Sequence, residues 1–304
     1  MAEPTLKQLR FLVALDDHRH FGKAAAACHI SQSAFSLAIK ELETKLNTHL
    51  VDRTNRSLTF TETGRAIADQ ARLCLGDIET LVDMAASSKE PLSGRLRLGV
   101  IPTIAPFLLP AVLPQLHARF PNLQLYLRED KTHIIHEQLL TGRLDLILIA
   151  LPFEMRGVVK LPLFDDPFLF ACYRQTRWLT DQTGRIDLQT LPEESILLLD
   201  DGHCLRDQAL HACELHQTEQ ISRFSATSLQ TLLQMVALDL GVTFIPSMAR
   251  NSIMLQGTDI ALHAMPAGSY RQIGLAWRKG SGRDKEFRAF GSLIQDIYRD
   301  AGSA

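Results

Sequence analysis

Residues 21–46 read Phe-Gly-Lys-Ala-Ala-Ala-Ala-Cys-His-Ile-Ser-Gln-Ser-Ala-Phe-Ser-Leu-Ala-Ile-Lys-Glu-Leu-Glu-Thr-Lys-Leu. The alanine-dense run to Cys28 predicts a short helix whose small side chains permit close packing. His29-Ile30-Ser31 reads as a tight turn, and Ser31 is a residue type that caps helix N-termini. From Ala34 to Leu46 the inward positions Phe35, Ile39, Leu42 and Leu46 recur at helical spacing. Helix, short turn, helix is the helix-turn-helix layout, in which the second helix enters the major groove of double-stranded DNA. The face offered to DNA begins at Ser31 and carries Gln32, Ser33, Ser36 and Lys40. Glutamine pairs with adenine, serine bonds base or phosphate, and lysine attracts phosphate.

Outward from this pair, Thr5–Leu15 has a strong apolar stripe and predicts a preceding helix. Leu50–Thr61 contains two short β-prone pieces around Asn55-Arg56-Ser57, a hairpin wing that places Arg53 and Arg56 for phosphate or the minor groove. The elements Phe21-Gly22-Lys23-Ala24-Ala25, Ser31-Gln32-Ser33, Ile39-Lys40-Glu41-Leu42-Glu43 and Thr61-Glu62-Thr63-Gly64 resemble the winged helix-turn-helix of LysR-type transcriptional regulators. Two positions depart from that pattern: Ser33 stands where the family commonly has proline, and Val51 where it commonly has phenylalanine.

Between residues 62 and 88, Ile67, Ala71, Cys74, Ile78, Leu81 and Ala85 alternate spacings of four and three, a coiled-coil seam. We read 1–61 as the DNA-binding domain, 62–90 as a dimerising linker helix and 91–304 as an effector domain. Cys74 falls in the seam and Cys28 in the helix-turn-helix core, both as packing residues. Pro91 and Gly94 mark the boundary. Beyond it, β-rich runs alternate with helical ones, which predicts a parallel α/β sheet. The resemblance implies two α/β lobes of periplasmic-binding-protein type, lobe I at about 91–167 and 272–304 and lobe II at about 168–271.

The stretch Gly202-His203-Cys204-Leu205-Arg206-Asp207-Gln208-Ala209-Leu210-His211-Ala212-Cys213 holds two of the five cysteines. Good helix formers follow Cys204, which places it at a helix N-terminus, where the macrodipole favours an anion and lowers a thiol pKa. Nine residues of intact helix separate the two cysteines by about 13 Å and put them on opposite faces. A disulfide needs Cα atoms within about 7 Å. If the two join, the helix between them must unwind. Free cysteines are commonly plain packing residues, and that alternative stays open. A metal reading of His203, Cys204, His211, Cys213 and His216 lacks the paired short spacings of zinc sites. We expect no metal and no cofactor.

Composition bounds the partners. With 32 Lys plus Arg against 34 Asp plus Glu the formal charge is -2, so DNA must be met by a local basic face. The longest apolar run, Leu144–Phe153, carries Asp145 and is too short to span a bilayer, so no membrane partner is expected. No basic region followed by an apolar core opens the sequence, and we expect a cytoplasmic, nucleoid-associated bacterial protein in which structural disulfides are rare.

Further strings resemble the hydrogen-peroxide-sensing members of the LysR family: the 202–213 stretch above all, with Ile101-Pro102-Thr103-Ile104, Thr132-His133, Pro162-Leu163-Phe164-Asp165, Ala226-Thr227-Ser228-Leu229 and Arg271-Gln272-Ile273-Gly274. That resemblance implies a peroxidatic Cys204, a resolving Cys213, and peroxide binding or proton relay at Thr103, Thr132, His203, Asp207 and Arg271. It also implies a regulator rather than an enzyme, and an activator of antioxidant genes. The implied partners are a promoter operator, hydrogen peroxide, a homodimer assembling to a homotetramer, RNA polymerase, and a glutaredoxin- or thioredoxin-type reductant. Two other classes fit parts of the sequence. A LysR regulator binding an organic effector between the lobes needs no cysteines, and a thiol peroxidase leaves the DNA-binding elements without purpose.

Overall fold

The computed structural model describes residues 3–53, 58–86, 92–178, 188–213 and 218–302. Contacts gather the chain into two units. One is Met1–Glu90 with the short pieces Gln138–Leu144 and Ser281–Arg283; the other is Pro91–Glu137, Asp145–Gly280 and Asp284–Ala304.

The first unit holds helices α1 (Leu6–His18), α2 (Phe21–Ala27) and α3 (Gln32–Leu46), strands β1 (Val51–Arg53) and β2 (Leu58–Phe60), and the long helix α4 (Glu62–Ala86). Each of the first three helices starts on a side-chain cap: Thr5 with Gln8 in a capping box, His20 accepting from Gly22 and Lys23, and Ser31 accepting from Ala34. Phe11, Leu12, Leu15, Ala24, Phe35, Ile39 and Leu42 form the core, with the Phe35 ring tilted against Phe11 and edge-on to Phe21. Strands β1 and β2 pair antiparallel as a wing. Its expected tip, including Arg56, lies outside the described residues, as does the side chain of Arg53.

The Thr61–Gly64 motif has a local cause. Thr61 Oγ1 donates to the His49 carbonyl (2.9 Å) and accepts from the Gly64 amide (2.9 Å). A Cβ on Gly64 would lie 2.0 Å from the Leu50 carbonyl oxygen, so only glycine lets α4 start there. Arg72 of α4 is buried and donates to Asp16 (3.0 Å), Asp17 (2.7 Å) and Asp69 (3.2 Å), which ties α4 to α1. The expected seam is therefore divided. Ala71 is buried within this unit, whereas Cys74 and Leu81 are exposed.

From residue 94 the chain forms β3 (Gly94–Val100), α5 (Ala105–Arg119), β4 (Leu123–Glu129), α6 (Thr132–Leu140), β5 (Leu146–Leu151), β6 (Val158–Tyr173) and β7 (Ile196–Leu199). Then follow α7 (Cys204–Ala212), β8 (Ile221–Ala226), α8 (Leu229–Ala237), β9 (Thr243–Pro246), β10 (Ile260–Ala264), β11 (Tyr270–Arg278) and α9 (Asp284–Gly302). The main sheet runs β10-β6-β11-β5-β3-β4, with β9 also on β6, and β7 pairs with β8.

The expectation of a parallel sheet is corrected here. Only β3 with β4, β3 with β5, and β7 with β8 are parallel; β11 with β5 and β6, and β6 with β9 and β10, are antiparallel. The cause is the crossing. The chain passes along β6, whose residues 158–167 pair with β11 and whose residues 168–173 pair with β9 and β10, and it returns along β11 in the opposite direction. The second lobe's core joins Phe168, Phe170, Leu197, Phe244 and Val236 to Leu205, Ala209 and Cys213 from α7. Among the described residues no helix is long and apolar enough to cross a membrane.

Candidate functional site

The thiol site begins at the turn between β7 and α7. Gly202 takes φ +87°, a conformation open to glycine, and reverses the chain so that His203 becomes the N-cap residue and Cys204 the first residue of α7. The turn is held from two sides. Arg206 donates to the Leu199 carbonyl (3.3 Å) and pairs with Asp201 (3.2 Å), and Lys131 Nζ donates to the Asp201 carbonyl (3.0 Å). Cys213 closes the helix at its C-cap, its thiol packed into the second lobe's core. All five cysteines are free thiols.

Position at a helix N-terminus does not lower the Cys204 pKa, contrary to the expectation from the dipole. Burial raises it and outweighs the opposing effects of the Thr132 hydroxyl beside the sulfur, the Arg271 charge and the helix's own N–H; the Asp207 carboxylate adds to the rise. Burial also pushes Cys213 up, to about 12. His203 is buried, and desolvation with the nearby Lys131 charge lowers its pKa, so it is neutral at pH 7 despite the opposing pull of Asp200.

Thr103 follows β3 and is buried. Its hydroxyl oxygen accepts from Arg271 Nη1 (2.9 Å) and its carbonyl from Nη2 (2.8 Å). Because that oxygen already accepts, its own proton is free to be donated elsewhere. Arg271 is also fixed by Asp166, Nε to Oδ2 at 3.0 Å, with both side chains fully buried. Asp166 accepts in turn from Ser247 Oγ (2.9 Å) and the Met248 amide (3.1 Å), and Arg271 Nη2 contacts Met248 Sδ (3.5 Å). Arg271 thus acts on the thiol through its charge, with each guanidinium nitrogen already bonded.

The expected site residues are placed unequally. Thr132 and Arg271 act on the Cys204 sulfur, and Thr103 joins them through Arg271. Asp207 is exposed; it touches the site by charge and lines an open cavity of about 830 Å³ on the Cys213 side of α7, together with His211 and Met265. Asp166 was absent from the sequence reading. The signal available was an acidic pair, Asp165-Asp166, inside a strand whose only other charged residue is Lys160. Among the described residues no group of His, Cys, Asp and Glu is arranged to hold a metal, and His216 of the metal reading lies outside them.

On α3, Ser31, Gln32, Ser33 and Lys40 are exposed, Ser36 is half-buried, and Leu37 adds an exposed apolar side chain that the sequence reading did not include. Ser31 Oγ is engaged in capping and lies 3.1 Å from Ser33 Oγ.

A capped helix-turn-helix with a β wing, followed by a long helix and a two-lobed α/β domain, defines a DNA-binding transcriptional regulator rather than an enzyme. The profile of the bacterial regulatory helix-turn-helix protein, lysR family, matches residues 6–65, and that of the LysR substrate binding domain matches residues 89–299. The chain belongs to the LysR family. It is homologous to OxyR proteins: it is 40% identical over 276 residues to the DNA-binding transcriptional dual regulator OxyR of Escherichia coli K12, covering 91% of this chain and 90% of that protein. A full-length OxyR from Pseudomonas aeruginosa with a cysteine-to-aspartate substitution superposes with a TM-score of 0.82 at 35% identity, covering 97% of this chain and 96% of the other. A hydrogen-peroxide-bound cysteine-to-serine mutant of Corynebacterium glutamicum OxyR gives 0.66 at 31% identity, covering 99% and 94%.

Proposed function

We propose that this regulator senses hydrogen peroxide at Cys204 and reports it through a disulfide with Cys213. The observation that carries this reading is the surroundings of the Cys204 sulfur: a helix N-terminus, the Thr132 hydroxyl and the Arg271 charge around one thiol, with a second thiol at the other end of the same helix. The thiolate is the attacking form, and the Thr132 hydroxyl and the Arg271 charge favour it against the burial that holds the proton on the sulfur. The sulfur attacks one peroxide oxygen, the O–O bond breaks, and the other oxygen leaves as hydroxide, which must be protonated. A thiol that holds its proton at rest supplies it: the proton passes through hydroxyls such as Thr132 to the leaving oxygen. Thiol plus peroxide then gives sulfenic acid plus water. Attack by the Cys213 thiol on the sulfenic sulfur forms the disulfide and releases a second water.

Unwinding of α7 alters contacts between effector domains and hence the spacing of the winged helices on operator DNA. In this reading the chain works as a homodimer or a tetramer built from dimers, with the exposed part of the α4 seam as one contact. It activates antioxidant genes with RNA polymerase in the bacterial cytoplasm, and a glutaredoxin- or thioredoxin-type protein resets it.

Mass spectrometry after one equivalent of peroxide tests the thiol reading. The wild type should lose two thiols to a Cys204–Cys213 disulfide. Cys204→Ser should lose none at these positions, and Cys213→Ser should stop at sulfenic acid or its over-oxidised products. Retention of both thiols in the wild type, or oxidation centred on another cysteine, sinks the proposal.

DNA contact is checked by salt. Lys40→Ala should weaken binding to all sequences and make the slope of log K against log salt shallower by about 0.9, the contribution of one phosphate contact. Gln32→Ala should change sequence preference instead. An unaltered slope for Lys40→Ala would move the DNA face elsewhere.

A further inference from the structure

Four buried side-chain nitrogen or oxygen atoms among the described residues have no nitrogen or oxygen partner: Thr132 Oγ1, whose one polar neighbour is the Cys204 sulfur, and His136 Nε2, Gln208 Oε1 and Ser252 Oγ. Buried polar atoms are paired almost without exception, so each unpaired one marks strain or a place for a small polar guest. Three of the four fall on the two helices that meet at the thiol. Thr132 and His136 are four residues apart on α6 and share a face; Cys204 and Gln208 are related in the same way on α7.

The end of β5 brings these faces to one place. Gln208 Nε2 reaches the Leu151 carbonyl at 3.5 Å, and Phe153, two residues on, meets the His136 ring edge-on with centroids 6.0 Å apart. Thr132 stands beside the Cys204 sulfur.

We infer that His136 is a positioning residue of the peroxide site, holding with Gln208 and Thr132 the oxygen that departs from peroxide as water. The inference rests on the peroxide-sensing reading and adds a residue to it. As the O–O bond breaks, the Cys204 sulfur keeps one oxygen. The second takes the thiol's proton by way of Thr132 and becomes water. That water donates to Gln208 Oε1, an acceptor only, and bonds His136 Nε2 as donor or acceptor according to the tautomer. Without these atoms the water would form against Phe153 and the β5 backbone with nothing to bond. His136 is kept neutral by burial and, secondarily, by the Lys160 charge; Lys160 is itself bonded to the Phe153 carbonyl. A neutral ring can bond water either way and leaves the charge balance at the sulfur to Arg271.

The test compares two reactions of Cys204 in full-length protein carrying Cys213→Ser, with His136, His136→Phe or His136→Gln. Phenylalanine keeps the ring against Phe153 and removes the nitrogen. Stopped-flow oxidation by hydrogen peroxide should slow about 10-fold in His136→Phe, the scale of one lost hydrogen bond to the departing oxygen, and recover in part in His136→Gln. Alkylation by iodoacetamide, whose leaving iodide needs neither proton nor hydrogen bond, should stay within about twofold. An equal fall in both rates would reduce His136 to a packing residue, and an unchanged peroxide rate would remove it from the site. A parent protein that reacts with peroxide no faster than a free thiol would sink the sensing reading, and this inference with it.

Discussion

Asp166→Ala is expected to lower the free energy of unfolding of the effector domain by about 3–5 kcal/mol, because it leaves a fully buried guanidinium without its counter-charge. Against a typical total of about 5–15 kcal/mol this is a large fraction. Arg271 cannot turn to water, since its other nitrogens are tied to Thr103 and Met248 inside the same buried cluster. Urea unfolding followed by tryptophan fluorescence measures the loss, and a change below about 1 kcal/mol would show that the pair is not the buried charge system described. The double substitution Asp166→Leu with Arg271→Met separates stability from chemistry. Replacing a buried ion pair by apolar groups is often neutral or stabilising, so this variant should recover most of the loss. Its peroxide reaction should stay slow, because Thr103 has lost the donor that orients its hydroxyl and the thiol has lost the charge that favours its anion.

The parts legible in the sequence are those with local causes. The helix-turn-helix could be read because Ser31 caps and Phe35, Ile39 and Leu42 repeat within a single element, and the Thr61–Gly64 motif is explained within fifteen residues of chain. Helix α7 starts at Cys204 as its composition predicts. What was missed depends on distance along the chain. Asp166 lies 105 residues from Arg271, and neither carries a local mark of the other. The mixed sheet follows from the crossing of β6 and β11, which no single segment encodes. The direction of the Cys204 pKa follows from the same cause: a helix dipole is a local property, whereas the desolvation that outweighs it comes from burial in the folded chain, and prevails even against the opposing effects of Thr132 and Arg271. Thr103 and Thr132 entered the reading through resemblance alone, since a threonine beside a strand or helix end usually caps or turns.

Oxidation to the Cys204–Cys213 disulfide is expected to abolish amide protection across α7, the largest change in the reaction. Intact, the helix holds these residues about 13 Å apart by its rise, while a disulfide needs Cα atoms within about 7 Å. The two requirements cannot both be met. Helices of this length are marginal alone, so α7 is held by packing of Leu205, Ala209 and Cys213 in the second lobe's core, worth on the order of a few kcal/mol for the leucine and its neighbours. A covalent bond can offset that loss, and the open cavity along the Cys213 side of the helix gives the chain room to move. Protection should be lost chiefly from Gln208 to Cys213, because the first N–H groups of the helix have no bond four residues back, whereas the Cys213 amide donates to the Ala209 carbonyl at 2.9 Å. Hydrogen exchange on the reduced protein and on the peroxide-treated protein, with the disulfide confirmed in the same sample, measures this directly. Equal protection of those amides in the two states would mean that the sulfurs meet without unwinding α7, and the link from thiol to DNA would have to run through another element.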